Sequence, residues 1–513
     1  MPAEINPIDQ VFSQAASPSV YFETMPAALQ TLNEQFGSTS PFTLYTEGTL
    51  GDFTVSNNQA VITHTAGRNT IVTVTSSSLV VPQAWVEIRV DYGGTGTGAY
   101  DNAGVGIVKD ANNFLFASID RKAGYARIQC KIGGTNNFYS TTTGQTYSPA
   151  YRFALSLVNS CAIFWKNTGG GWTRIASYNL SAVYDFRTTG NLTGWKYGFT
   201  VATPSASTWK FSDFKAGSFG TYNMRDMTIV TEEDGTPYIA DNKVLFTATC
   251  NDLTLNAVQS YCGVFSLNLS TYAIAQQGVI FVQRDGKSYA DLAAHIIRYS
   301  NGNRRIFISS WGNGFGGDIY IMHGLLTSGD VLSGVSLLSG LTEIELPGQS
   351  AGYGVYDPFA VKVGSDWLIA YSITEDTDFT GNPFYPALAS TPDFSTFSLI
   401  GADTAMSGTG YEGTKIVRVN GNLWVLAGGP AGSGNNARIY NSAMSYIGDL
   451  DATFSGGAET QPHPMVFPAG DSFFLLTFDN NKYSTYAWTW GRPVIHLSTR
   501  YLPDDGGPMM WIF

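Results

Sequence analysis

Five segments in the second half of the chain open on a side chain that can hold or exchange a proton. They are Asp226 in "DMTIVTEEDGTPYIAD", His295 in "HIIRYSNGNRRIFISSW", Asp357 in "DPFAVKVGSDWLIAYS", Glu412 in "EGTKIVRVNGNLWVLAGG" and His463 in "HPMVFPAGDSFFLLTFD". The chain has only 5 histidines, so finding two of them at such openings marks these positions. Two carboxyl groups about 6.5–9.5 Å apart can cleave a glycosidic bond with inversion, one activating water and the other protonating the leaving oxygen. A third carboxylate nearby helps keep the acid protonated, because like charges in one site resist joint ionisation.

Residues so far apart in sequence meet only if the fold brings them together. Each opening is followed by three to six strand-like residues, a Gly, Asn or Asp turn, and an aromatic-rich return strand. The openings lie 69, 62, 55 and 51 residues apart. Units of that length built from strands without helices predict propeller blades, so residues 218–500 are expected to form a five-bladed β-propeller. The innermost strand of every blade lies along the axis, and equivalent strand starts converge there. The competing reading is that polar residues at strand starts satisfy backbone groups or line a water-filled channel.

Charged residues make up 13% of the chain, while glycine (56), tyrosine (28) and phenylalanine (31) are abundant; this composition favours strands joined by polar turns. Ten or so short strands between residues 43 and 217, such as "AWVEIRVDY" and "YRFALSLVN", alternate with period two and predict a β-sandwich. The expected fold class is therefore all-β, a sandwich followed by a propeller. Residues 1–42 read as a leader in which "MPAALQTLNEQF" (25–36) forms a short amphipathic helix, docked on the next domain or on another chain. Residues 501–513 read as a tail. A net charge of −12 with no basic run argues against nucleic acid and suits a neutral, hydroxyl-rich ligand such as a polysaccharide. No apolar run is long enough to insert into a membrane, and the start lacks the pattern of a secretory signal. Of the four cysteines, Cys250 and Cys262 flank a short loop and could pair, although free buried thiols are the simpler expectation. No spacing suggests a zinc site.

The stretch "DNAGVGIVKDANNFLFASIDR" followed by "YRFALSLVNSCAIFWKNTGGGW" resembles the central strands of concanavalin-A-like jelly rolls. The second half resembles the five-bladed glycoside hydrolases of family 43, the arabinanase and β-xylosidase type. That resemblance implies an inverting O-glycoside hydrolase with Asp226 ("RDMTIV") as base, Asp357 ("YDPFAV") tuning pKa and orientation, and Glu412 ("YEGTKIV") as acid. It also implies His463 ("QPHPMV") beside an axial calcium ion or a water, with no other cofactor. Two departures stand out: Met227 follows Asp226 where the family has proline, and Thr414 follows the Glu-Gly pair. Loss of the base would leave a sugar-binding propeller without hydrolysis. His295, Trp311, Tyr353, Tyr356, Tyr411, Phe315 and His463 are candidate substrate contacts, and Asp376 with Asp378 a candidate calcium loop. Composition and the closing "GGPMMWIF" resemble bacteriophage minor tail proteins, implying a virion component that meets host envelope polysaccharide, other tail proteins and sister copies. The alternatives are a secreted bacterial hydrolase of arabinan or xylan, and a catalytically silent structural or receptor-binding tail component.

Overall fold

The computed structural model describes residues 11–16, 30–34, 36, 42–47, 52–65, 68–74, 78–93, 99–218, 223–251, 260–313, 319–349, 353–375, 384–419, 421–429, 437–452, 463–470, 472–478 and 491–499. Among them every regular element is a strand or a short 3₁₀ turn, so the chain is all-β. No helix among the described residues is long and apolar enough to cross a membrane.

The first part is a sandwich of two antiparallel sheets. One carries seven strands from Phe42–Glu47 to Thr135–Thr142; the other is centred on Gln83–Gly93 and Ser207–Gly217. Alternation along Gln83–Gly93 sends Val86, Ile88 and Val90 into a core shared with Val105, Ile107, Leu115 and Ala117 of the opposite sheet. Trp85 points the other way and packs with Trp165 among residues of the second part, including Met224, Phe246 and Tyr261. The sandwich sheet is therefore covered on both faces.

The second part is a β-propeller arrangement. Its sheets begin with Asn223–Ile229, Leu292–Arg298, Gly354–Val363, Glu412–Val419 and Met465–Ala469. These five strands contact one another in a closed ring, each touching the next and the last touching the first. The sheet containing Met465–Ala469 is completed from the far end of the sequence. Val11–Ala16 pairs antiparallel with Pro493–Thr499 and parallel with Asp451–Ala452. The sandwich is thus inserted between this strand and the remainder of the propeller.

These pairings correct the expected leader and its helix. Residues 30–34 form a strand, not helix: Leu32, Asn33 and Glu34 pair with Ala216, Lys215 and Phe214. Gln59–His64 covers Ser207–Gly217 only as far as Phe211, which leaves a free edge beyond it. A segment with middling helix propensity gains more from closing that edge than from an isolated helix. Phe36, expected on the helix face, is buried in the sandwich core. Cys130, Cys161, Cys250 and Cys262 form no disulfide. Their positions on neighbouring strands send Cys250 and Cys262 into different cores, so the pair cannot bridge.

Candidate active site

A repeated backbone device builds the centre. In four of the inner strands the pairing slips by one residue, between Arg225 and Thr228, Leu292 and His295, Tyr356 and Phe359, and Glu412 and Lys415. Each slip carries a residue in the left-handed region: Asp226 (φ 54°), Ala293 (φ 53°), Asp357 (φ 56°) and Gly413 (φ 66°). His463 (φ 40°) holds the same conformation just ahead of its strand. A bulge of this kind re-aims a side chain and ends regular pairing. Asp and His both tolerate the left-handed region better than most residues. Hydroxyls of the preceding sheet secure two of the bulges: the amide of Ala293 donates to Thr249 Oγ1 (3.2 Å) and that of Asp357 to Ser309 Oγ (3.1 Å).

The device corrects the sequence alignment in two sheets. Ala293 is the true equivalent of Asp226 and Asp357, and His295 lies two residues beyond it. His295 is fully buried between sheets: its Nδ1 accepts from the Ala360 amide (3.1 Å), its Nε2 lies 3.0 Å from Thr231 Oγ1, and its ring stacks on Phe359 at 4.0 Å. Burial, with Lys415 nearby, pushes its pKa well down, so it is a neutral structural imidazole and not a substrate contact. In the fourth sheet Gly413 takes the bulge position, and Glu412 sits one residue ahead of it.

Four of the five openings do converge. His463 stands between two carboxylates, Nδ1 at 3.2 Å from Asp226 Oδ1 and Nε2 at 3.2 Å from Glu412 Oε1. Asp357 Oδ2 is 3.8 Å from Nδ1. Arg225 bridges the same two acids, its Nε donating to Asp226 Oδ1 (2.8 Å) and its Nη2 to Glu412 Oε1 (3.1 Å). The Tyr356 hydroxyl donates to Glu412 Oε2 (3.1 Å) and the Gly413 amide to Asp357 Oδ2 (3.1 Å). All four side chains from the openings are buried.

Burial penalises every charge here, and the partners decide the outcome. For Asp226 and Glu412 burial is outweighed by Arg225 and His463, which hold both below the usual carboxylate range. For His463 the surrounding carboxylates outweigh burial and raise its pKa, which favours the imidazolium. Asp357 is pushed up to about 6, first by burial and then by the Asp226 and Glu412 charges, against the pull of His463 and Lys415.

Sequence reasoning missed three contributors. Arg225 appeared there only inside the quoted "RDMTIV", although an Arg-Asp pair at a strand start is itself a signal. Lys415 interrupts an apolar strand two residues past Gly413; it is fully buried and its Nζ has no hydrogen-bond partner among the described residues. Asp291, buried before the second bulge, takes both Arg284 nitrogens (3.0 and 2.9 Å) and the Gly312 amide (2.9 Å), fixing the turn that carries Trp311. Trp311 in turn packs edge-on against Tyr356 at 5.4 Å.

The expected stacking platforms divide. Trp311 is half-buried beside the centre and Tyr353 is exposed where the third sheet begins. The rings of Tyr356 and Tyr411 are buried, Tyr411 lying under Arg438 at 5.0 Å, so neither offers a face to a sugar. Phe315, Asp376 and Asp378 lie outside the described residues. A calcium ion does not fit the cluster around His463. Asp357, Glu412 and His463 bring one donor atom each within 4.8 Å of one another. Calcium asks for six to eight oxygen ligands; here one donor is an imidazole nitrogen and the Arg225 guanidinium already neutralises Glu412.

No protein-family model matches the sequence, and no curated protein matches it. Among solved structures, the chain is similar to Bacillus subtilis levansucrase at 11% identity and a TM-score of 0.42, over 55% of this chain and 85% of that one. It is similar to the inulosucrase from Halalkalicoccus jeotgali bound to kestose at 11% identity and a TM-score of 0.39, over 54% and 85% of the two chains. The carbohydrate-binding module CBM66 from Bacillus subtilis aligns over 35% of this chain and 96% of its own length, at 13% identity and a TM-score of 0.25.

Proposed function

We propose that the second part of the chain is a five-bladed propeller that binds a polysaccharide at its axis and hydrolyses a glycosidic bond there with inversion. The observation that supports this reading is the convergence of Asp226, Asp357 and Glu412, from three separate sheets, on one buried imidazole. Asp226, held ionised by Arg225, suits the base that activates water. The sandwich, read as a concanavalin-A-like jelly roll, would add a second carbohydrate-binding unit. The low charge of the surface suits such a ligand, and a virion tail or secreted setting is the context in which the chain would meet it.

Release of reducing sugar from arabinan, xylan, levan and bacterial envelope polysaccharide tests the proposal. Activity on at least one polymer is expected, reduced at least about 100-fold in Asp226→Asn. One observation favours a second reading: Arg225 and His463 already satisfy Asp226 and Glu412, as in a centre that binds without cleaving. Retained polysaccharide binding with no release by the wild-type chain selects that reading. Neither binding nor release on any polymer overturns both.

A further inference from the structure

We propose that the exchangeable proton of the axial centre resides on Asp357 and not on Glu412, so that Asp357 is the acid and Glu412 a fixed anion. The hydrogen bonds separate the two carboxyls. Glu412 Oε1 lies against the Arg225 and His463 cations, and Oε2 accepts from the Tyr356 hydroxyl. With a donor facing both oxygens, a proton on Glu412 would displace at least one of them. Asp226 is committed in the same way to Arg225 and faces His463.

Asp357 is different. Its Oδ2 takes a neutral backbone amide from Gly413, its nearest cation is His463 at 3.8 Å, and Oδ1 has no hydrogen-bond partner among the described residues. A proton on Oδ1 displaces no donor. The groups that face Asp357 are Asp226 and Arg225 from the first sheet and Glu412 and Lys415 from the fourth. His463 faces it from the fifth, and Tyr356 stands beside it on its own strand. From the second sheet, His295 is pushed well down by burial and Asp291 is committed to Arg284 and the Gly312 amide. Two of these neighbours, Asp226 and Glu412, are carboxylates held ionised by other partners, and they drive the proton onto the one acid that no cation hydrogen-bonds, its nearest being His463 at 3.8 Å. His463 is the first influence against this, and Lys415, whose Nζ has no hydrogen-bond partner among the described residues, adds to it as the positioning residue that limits how tightly Asp357 keeps the proton.

The role assigned to Asp357 in cleavage rests on the hydrolytic reading above. Asp357 Oδ1–H passes its proton to the glycosidic oxygen as the anomeric C–O bond breaks, and the bonding pair stays on that oxygen. Water adds to the anomeric carbon and gives its proton to the Asp226 carboxylate. Exchange with solvent then returns a proton to Asp357 and removes one from Asp226.

Infrared difference spectroscopy of the full chain reads the proton directly, without substrate. A protonated-carboxyl band is expected at pH 5 that is lost by pH 8, is absent from Asp357→Asn and persists in Glu412→Gln. In Lys415→Met the loss should move to higher pH, which also tests the assignment if Asp357→Asn fails to fold. A band that survives in Asp357→Asn but vanishes in Glu412→Gln, or no pH-dependent band at all, overturns the proposal. An Asp357 band in a chain that releases no sugar supports the proton assignment and overturns the hydrolytic reading alone.

Discussion

Glu412 and Lys415 occupy the same strand three residues apart, yet their removal should act in opposite directions. Glu412→Gln removes one of the two carboxylates that Arg225 and His463 share, and loss of one partner from a buried ion pair costs about 3–5 kcal/mol. Lys415→Met removes a buried ammonium that has no hydrogen-bond partner among the described residues, and should raise stability by at least about 1 kcal/mol. Urea unfolding at neutral pH measures both. The pH dependence of stability follows from the same centre. Asp226 and Glu412 are held low, so their contribution is present above their ordinary values and is lost as pH falls through the folded ones. Asp357 is raised to about 6, so its contribution is full below about pH 4 and is lost as pH climbs through 6. His463 is also raised; its contribution is full below about pH 6.5 and fades at higher pH. Stability should therefore peak near pH 4–5, and Asp357→Asn should flatten the decline between pH 4 and 6. A urea midpoint that rises steadily from pH 4 to 8 would contradict these signs.

At the scale of the element, the bulge is what sets four of the five inner strands apart from regular strands. It converts a two-residue alternation into a left-handed step that turns one side chain toward the axis. Gly413 shows what the geometry demands. A Cβ there would lie 2.6 Å from His463 Cγ, and its φ of 66° disfavours any L side chain. Gly413→Ala should cost roughly 1–3 kcal/mol and shift His463 away from Glu412. A lowered urea midpoint, together with a changed His463 titration by NMR, checks both effects.

Across the whole molecule the two parts are tied into one unit. The sandwich tryptophans Trp85 and Trp165 share a core with the propeller. The hairpin at Gly286 receives the Thr189 amide (3.0 Å), Ser288 donates to the Arg187 carbonyl (2.7 Å), and Lys287 pairs with Asp185 at 3.2 Å. Calorimetry should show a single unfolding transition despite the length of the chain. Removal of residues 1–20 deletes the strand that joins Pro493–Thr499 to Asp451–Ala452. The truncated chain should unfold at lower temperature, by several degrees or more, and lose the single transition as the propeller opens. An unchanged profile would show that this strand does not close the sheet.

The sequence by itself determined the all-β class, the repeat in the second half and the acids Asp226, Asp357 and Glu412. Alternation, turn residues and recurring strand openings are local features that survive without tertiary contacts. It misplaced His295 because a one-residue slip in pairing is invisible in a pattern read by eye, and only the bulge shows that Ala293 holds the equivalent place. It misread residues 30–34 because the edge that captures Gln30–Glu34 belongs to a strand some 180 residues away. The electrostatics were decided by tertiary structure alone. Arg225, His463 and Lys415 come from three different sheets, and which carboxyl is neutralised depends on distances of a few ångströms inside a buried region. The acids were legible because their type and spacing are written in the chain; their protonation was not, because it belongs to the space the ring of strands encloses.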